Sequence, residues 1–104
     1  MDKDFKISVL LDVYGALLTE NRRTAIRMYY DEDLSLAEIA EHLGISRQGV
    51  RDSIKHGEAE LNNFEKKLGL MNKNDEIQDL IDEAKAMSED KNLLNILSKI
   101  ENKL

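Results

Sequence analysis

Basic side chains recur at four-residue steps in the middle of this 104-residue sequence, at Arg47, Arg51 and Lys55, with Gln48 beside them. On a helix, this spacing places the side chains along one face. Such a row could contact phosphates, and the Arg or Gln side chains could address base edges in a major groove. The alternative is a solvated basic face whose charges are paired with acids on the same helix.

Other charges bear on this choice in both directions. Acidic residues on the same helix, Asp52, Glu58 and Glu60, oppose a nucleic-acid ligand because they would lie near phosphates or cancel a neighbouring cation. A second group of basic residues lies near the start of an earlier helix and could support the interface: Arg22, Arg23 and Arg27. The sequence therefore predicts a small basic surface rather than a strongly basic domain.

The basic row begins within a helix-turn-helix pattern over residues 35–54, SLAEIAEHLGISRQGVRDSI. Ser35 and Glu38 form a capping box that begins a short helix. Gly44 opens the turn, because a positive φ is inexpensive only without a Cβ. Ser46 then caps a second helix in the recognition position. Small or apolar residues are predicted between the two helices: Ala40, Ile45, Val50 and Ile54. The alternative is a generic helical hairpin.

Apolar periodicity predicts helices in the remainder of the chain and no strand. A first amphipathic helix carries apolar residues from Ile7 to Leu18, Thr19 caps a second helix, and the acidic residues 31–33 form a connection. The helix after Ser46 extends to about Leu68 before a glycine. The tyrosines fall on apolar stripes and are predicted to lie in the core: Tyr14, Tyr29 and Tyr30.

The long helix after Ser46 also has the average spacing of a coiled-coil seam, with steps of four and three residues. The residues of this seam are Val50, Ile54, Gly57, Leu61, Phe64 and Leu68. Gly57 would allow another backbone to approach closely. Two interpretations remain open, an ordinary core helix and a seam between two copies of the chain, so a homodimer is one predicted state.

Two domains are predicted: a helix-turn-helix domain over residues 1–69 and a C-terminal helical extension over residues 70–104. The polar stretch 71–74 is predicted to be a hinge. A break at Ser88 would divide the extension into two helices, although one long helix is the alternative. Because isolated helices of this length are marginal in water, the extension must pack on the body of the protein or on a partner.

Composition excludes several function classes. The 15 basic and 21 acidic side chains give a net charge of −6, which opposes general attraction to nucleic acid. The absence of cysteine rules out disulfides and thiolate chemistry. No segment is apolar enough for a membrane span, and residues 1–6 lack the apolar run of a signal peptide, so we expect a cytoplasmic protein. His42 and His56 have no metal-ligand spacing, and we expect no cofactor, no metal site and no enzyme activity.

The sequence resembles two known groups. Residues 34–61 are similar to the helix-turn-helix of bacterial sigma factor region four. The longer run from Leu11 to Leu70 resembles the YlxM-like family, through LLDVYGALLT, MYYDEDLSLAEIAE, SRQGVRDSIKHGEAEL and FEKKLGL. This run covers well over half of the chain.

These resemblances imply an all-α fold, with a sigma factor region four-like core and extra N- and C-terminal helices. The YlxM-like resemblance implies a regulatory adaptor of the signal recognition particle pathway, which would contact the targeting GTPase or its RNA. The sigma-like resemblance implies a small transcriptional regulator that reads duplex DNA through Ser46, Arg47, Gln48, Arg51 and Lys55. Sigma region four continues its recognition helix with a dense basic run, whereas this chain has Gly-Glu-Ala-Glu there.

Overall fold

The computed structural model describes residues 4–104, so residues 1–3 of the N-terminal segment, in which no signal peptide is predicted, lie outside the described residues. Within residues 4–104 the secondary structure is helical without a strand, which confirms the predicted all-α class. A 3₁₀ turn, Gly15–Leu17, follows the first helix. The α-helices of this range are α1 (Phe5–Tyr14), α2 (Glu20–Tyr30), α3 (Leu36–Leu43), α4 (Arg47–Leu68), α5 (Leu70–Ala86) and α6 (Lys91–Glu101).

Hydroxyl caps begin α2, α3 and α4 where the sequence predicts them. The Oγ1 of Thr19 accepts from the backbone N of Arg22 at 3.4 Å. The Oγ of Ser35 accepts from the backbone N of Glu38 at 3.1 Å, and the Glu38 carboxylate accepts from the Ser35 backbone N at 3.2 Å, which completes the capping box. The Oγ of Ser46 accepts from the third residue of α4 at 2.9 Å. Each cap satisfies an amide that has no partner inside its helix.

Glycines in the left-handed conformation end α3 and α4. Gly44 has a φ of 68° and Gly69 a φ of 63°, values that are costly for a residue with a Cβ. The backbone N of Gly69 donates to the carbonyl of Glu65 at 2.8 Å. The turn of the helix-turn-helix and the end of the long helix are therefore fixed by backbone geometry, as the sequence predicts.

The chain consists of two compact units, the second of which is Leu70–Leu104. In the first unit α4 is the central element and contacts α1, α2 and α3. The largest fully buried side chains come from all four helices of this unit: Leu10, Tyr14, Ile26, Ile39, Val50 and Leu61. Hydrophobic burial of these side chains supplies the main favourable term in its folding.

Gly57 is buried where α4 meets α2. A Cβ at this position would overlap the Cδ1 of Ile26, a side chain that is itself fully buried. The predicted close approach thus occurs, but it is made to a side chain of the same molecule. The first four seam residues, from Val50 to Leu61, are buried in this core, whereas Leu68 is 49% exposed. The core-helix interpretation of this stretch is confirmed.

Two predictions about the core are wrong in part. Ile45 does not fill the space between α3 and α4 but is 43% exposed, although Val50 and Ile54 are buried there. Ile45 lies between the left-handed glycine and the capping serine, and this backbone path directs its side chain over the first turn of α4, near Gly49. Of the three tyrosines predicted to be core, Tyr14 is fully buried, and Tyr29 and Tyr30 are half-buried.

The second unit is formed by α5 and α6, which contact each other. The predicted hinge at residues 71–74 is wrong, because α5 begins at Leu70, immediately after Gly69. A single left-handed residue ends α4, so no longer break is needed. The predicted break near Ser88 is confirmed: Asp90 caps α6 by accepting from the backbone N of Asn92 at 2.9 Å.

Gly57→Ala is expected to destabilise the protein by about 1–3 kcal/mol, because the new methyl group overpacks a closed part of the core. This change would otherwise stabilise a helix interior by up to about 1 kcal/mol. Chemical denaturation measures the free energy of unfolding. Ala59→Gly, at an exposed position of the same helix, measures the intrinsic difference in helix propensity between alanine and glycine.

Ile26→Val removes the methyl group that meets Gly57. In the Gly57→Ala background it is expected to cost less than in the wild type, or to stabilise the protein. An increase in stability on Gly57→Ala alone would contradict the close packing of α2 on α4.

Candidate nucleic-acid interface

The predicted interface residues of α4 lie on its first three turns. Arg47, Gln48, Arg51 and Lys55 are all exposed, as is the capping Ser46. The caps at Ser35 and Ser46 and the left-handed turn at position 44 fix the position of this segment relative to α3. The structure therefore brings these residues together on one exposed side of the helix-turn-helix.

The three cations of this row have no partner among the described residues. No ion pair or side-chain hydrogen bond within residues 4–104 involves Arg47, Arg51 or Lys55. Gln48 differs, because its Nε2 donates to the Oδ1 of Asp52 at 2.9 Å. The alternative of a basic face paired with acids on the same helix is thus not observed for the cations. Their charges are directed to solvent and available to an anion.

Three acidic residues in the later turns of α4 are bonded to other helices, whereas Asp52 remains exposed beside the basic row. The Glu58 carboxylate accepts a hydrogen bond from the hydroxyl of Tyr30. Glu60 forms an ion pair with Arg22 of α2. Further along the helix, Glu65 accepts from the hydroxyl of Tyr14 at 2.7 Å. These contacts hold α1 and α2 on α4, and the guanidinium of Arg22 offsets the charge of Glu60.

The phenol of Tyr30 is perturbed by this arrangement. Its partial burial raises the pKa, and the hydrogen bond to Glu58 together with the negative charge of that carboxylate raises the pKa further. The ring of Tyr29 packs edge-on against it, with 5.1 Å between centroids. Tyr30 therefore remains a neutral hydrogen-bond donor well into the alkaline range.

The three arginines of the predicted supporting group on α2 differ in burial and in their partners. Arg22 is half-buried and pairs with Glu60, so its charge serves the contact between α2 and α4. Arg23 is also half-buried, whereas Arg27 is exposed. The described residues provide no ion-pair partner for Arg23 or Arg27.

Two surface pockets border the basic row, and neither is predicted from the sequence. One, of about 370 Å³, lies between the end of α2, the start of α3 and α4, and its lining includes Tyr29, Tyr30, Arg51 and Lys55. The other, also of about 370 Å³, is lined by Ser35, Leu36, Ala37, Arg47, Gln48 and Arg51. The capping box at residue 35 was the available signal, because it places the first turn of α3 beside the start of α4.

Other chemistry has little support in the described residues. His42 and His56 are exposed. No group of three or more histidine or carboxylate side chains within residues 4–104 could hold a metal ion. None of the helices in the same range is long and apolar enough to cross a membrane.

Comparison with known proteins identifies similar sequences across the chain. Residues 1–103 match the helix-turn-helix family described as YlxM / p13 like, which confirms the resemblance seen in the sequence. A UPF0122 protein of Clostridium kluyveri is 44% identical over 106 aligned positions, covering 98% of this chain and 95% of that protein.

Two further relatives align over shorter stretches. A UPF0122 protein of a Thermoanaerobacter species is 51% identical over 86 residues, covering 82% of this chain and 74% of that protein. A UPF0122 protein of Acetivibrio thermocellus is 53% identical over 73 residues, covering 70% of this chain and 62% of that protein.

Tyr30→Phe is expected to reduce the free energy of unfolding by about 1 kcal/mol at neutral pH, because it removes the hydrogen bond to Glu58. The raised pKa also predicts a pH dependence. A phenol whose pKa is higher in the folded than in the unfolded state stabilises the fold below its ordinary pKa of 10.0, and this contribution is lost as the pH rises beyond it.

Urea unfolding at neutral and alkaline pH measures both effects. The stability of the wild type is expected to decline more steeply above pH 10 than that of Tyr30→Phe. Glu58→Gln keeps a hydrogen-bond acceptor but removes its charge, so it should show an intermediate slope. Identical alkaline slopes for all three proteins would show that Tyr30 is not coupled to Glu58.

Proposed function

Because this chain belongs to the UPF0122 family of YlxM / p13-like helix-turn-helix proteins, we propose that it binds duplex DNA through the first three turns of α4. The observation that carries this proposal is the exposed row of Arg47, Arg51 and Lys55, whose charges have no partner within residues 4–104. A recognition helix of this motif enters the major groove with its N-terminal residues toward the bases.

The position of each side chain along α4 indicates whether it would contact a base or a phosphate. Arg47 and Gln48 lie in its first turn and would face base edges, where Arg suits guanine and Gln suits adenine. Gln48 would exchange its hydrogen bond with Asp52 for one with a base. Lys55, two turns further on, would contact a phosphate, and Arg51 is placed for either role.

The surrounding charges limit the strength of this binding. The chain carries a net charge of −6, and the two parts of the sequence contribute −3 each: residues 1–69 hold 10 basic and 13 acidic side chains, and residues 70–104 hold 5 and 8. Arg22 offsets the charge of Glu60, whereas Glu58 is bonded to the uncharged hydroxyl of Tyr30 and borders the same pocket as Arg51 and Lys55. Binding should therefore depend on a few phosphate contacts and weaken with added salt. Arg23 and Arg27 of α2 are further candidates for such contacts.

The test uses a duplex selected from a random-sequence library, with affinity measured by fluorescence anisotropy over a range of salt concentrations. Arg51→Ala is expected to weaken binding by about 1–3 kcal/mol if Arg51 reads a guanine, and to reduce the salt slope by about 1 if it contacts a phosphate. Lys67→Ala, an exposed cation in the last turn of the same helix, is the matched control and should leave affinity and slope nearly unchanged.

Two results would reject duplex DNA as the ligand. The first is the absence of binding by the wild type at low salt. The second is an equal loss in Arg51→Ala and Lys67→Ala, because the interaction would then depend on general charge rather than on the first turns of α4. Circular dichroism of each variant shows whether the fold is retained.

The second candidate function is that of a regulatory adaptor in the signal recognition particle pathway, as the YlxM-like resemblance implies. The acidic balance of the chain favours it, because complementary charge accelerates association with a basic partner. This function assigns the recognition face either to the RNA of the particle or to a protein surface.

Titration against the purified targeting GTPase and, separately, its RNA tests the adaptor function. Binding to the GTPase that Arg51→Ala leaves unchanged would assign the acidic surface to a protein partner. Loss of RNA binding in the same variant would assign the basic row to RNA. If neither partner binds at low salt while both are folded, the adaptor function is rejected.

Both candidates are binding functions, and neither assigns a catalytic role or a cofactor to the chain. A protein that binds chromosomal DNA or a targeting particle in a bacterium works in the cytoplasm, and we propose that location. A homodimer would carry two copies of α4, which is the arrangement that paired half-sites in DNA require.

A further inference from the structure

The α5–α6 unit leaves most of its large apolar side chains in solvent. Ile81 is the one large hydrophobic residue of residues 70–104 that is buried, and Leu80 and Ile96 are 64% and 54% exposed. The exposed apolar residues of this unit are Leu70, Ile77, Leu80, Met87, Leu93, Ile96, Ile100 and Leu104. Most of them recur at three- or four-residue steps, as they do on a helix face that packs against another helix.

A unit of this size cannot stabilise itself by its own core. Chains below about 40 residues need disulfides, metals or association to fold, and residues 70–104 contain neither cysteine nor a metal-binding group. The single buried residue, Ile81, contributes only about 1.5–3 kcal/mol. The exposed apolar face must therefore pack against another protein surface.

One ion pair joins the two helices of the unit, and other charged side chains border its exposed apolar face. Lys85 and Glu101 form an ion pair at 2.5 Å between α5 and α6, and thus serve the contact within the hairpin. Glu83 lies one turn after the exposed Leu80, and its carboxylate is exposed without an ion pair among the described residues. Glu76 lies one turn before Leu80 and accepts a long hydrogen bond, 3.4 Å, from Asn72.

In α6 and just beyond its end, the bordering charges have the opposite sign. Lys99 lies three residues after Ile96 within α6, and Lys103 lies three residues after Ile100, beyond the last residue of the helix. Both ammonium groups are exposed, and within residues 4–104 neither has an ion-pair partner. Overall, α5 carries two basic and five acidic side chains, whereas α6 carries two basic and one acidic. The apolar face is thus bordered by acids on α5 and by lysines in and just after α6.

We propose that a second copy of this chain covers the face. A surface that carries both an acidic and a basic border is complementary to itself when two copies pair about a twofold axis. In this pairing α5 of one copy faces α6 of the other, so that Glu76 and Glu83 meet Lys99 and Lys103 of the partner. Apolar residues of both hairpins then form a four-helix core, with ion pairs at its edges as in a coiled coil.

Sedimentation equilibrium of the full chain at micromolar concentrations tests this dimer. Ile96→Lys is expected to raise the dimer dissociation constant at least about tenfold, because it places a charge in the apolar contact. Asn95→Lys adds the same charge at the neighbouring exposed position and should leave the dissociation constant nearly unchanged. Circular dichroism shows whether both variants keep the helical content of the wild type.

A pair of charge-reversal variants tests the arrangement of the helices. Glu76→Lys with Glu83→Lys makes both borders basic, and Lys99→Glu with Lys103→Glu makes both borders acidic. Each doubly substituted protein should self-associate at least about tenfold more weakly than the wild type, whereas an equimolar mixture of the two should form a heterodimer.

Three results would overturn the proposal. The first is a wild-type chain that remains monomeric at every concentration, in which case the face is covered by the first unit or by a different protein. The second is an equal increase in the dimer dissociation constant in Ile96→Lys and in Asn95→Lys. The third is a mixture of charge-reversal variants that associates no better than each variant alone. None of these outcomes depends on DNA binding, so the dimer and the proposed function are tested separately.

Discussion

The first unit depends on the close packing of α2 against α4 at Gly57. Because this position lacks a Cβ, the side chain of the fully buried Ile26 lies directly against the backbone of α4. Arg22 and Tyr30, on either side of Ile26 along α2, bond to Glu60 and Glu58. A larger residue at position 57 would separate the two helices and disturb both polar contacts. One small residue thus fixes the orientation of the central helix.

The same packing divides the charges of α4 between two sides. Its acids at positions 58, 60 and 65 are bonded to α1 and α2, while Arg47, Arg51 and Lys55 extend into solvent. A helix that is nearly neutral in composition therefore presents a mainly cationic side at its first three turns. The net charge of the chain opposes a nucleic-acid ligand, but the first three turns of α4 carry three exposed cations and one exposed acid, and this local balance favours one.

Much of the fold could be predicted because its determinants are local. The capping box at Ser35, the left-handed glycines and the apolar periodicity act over a few residues, and the structure has the helix boundaries that they predict. The hinge at 71–74 and the burial of Ile45 were mispredicted because both depend on backbone path and tertiary contacts. The partners of Arg22 and Glu58 are separated from them by 38 and 28 residues, a pairing that periodicity cannot reveal.

Arg47, Arg51 and Lys55 make no ion pair or side-chain hydrogen bond with any other residue of the described range 4–104, so the fold does not fix the residue types at these positions. Exposed helix positions without such contacts accept most substitutions at a cost within about 0.5 kcal/mol, whereas the buried face of the same helix does not. The chemistry of the exposed face can therefore diverge while the core stays the same. A family built on this scaffold could acquire new ligands through a few exchanges in three helical turns, without any change in how the chain folds.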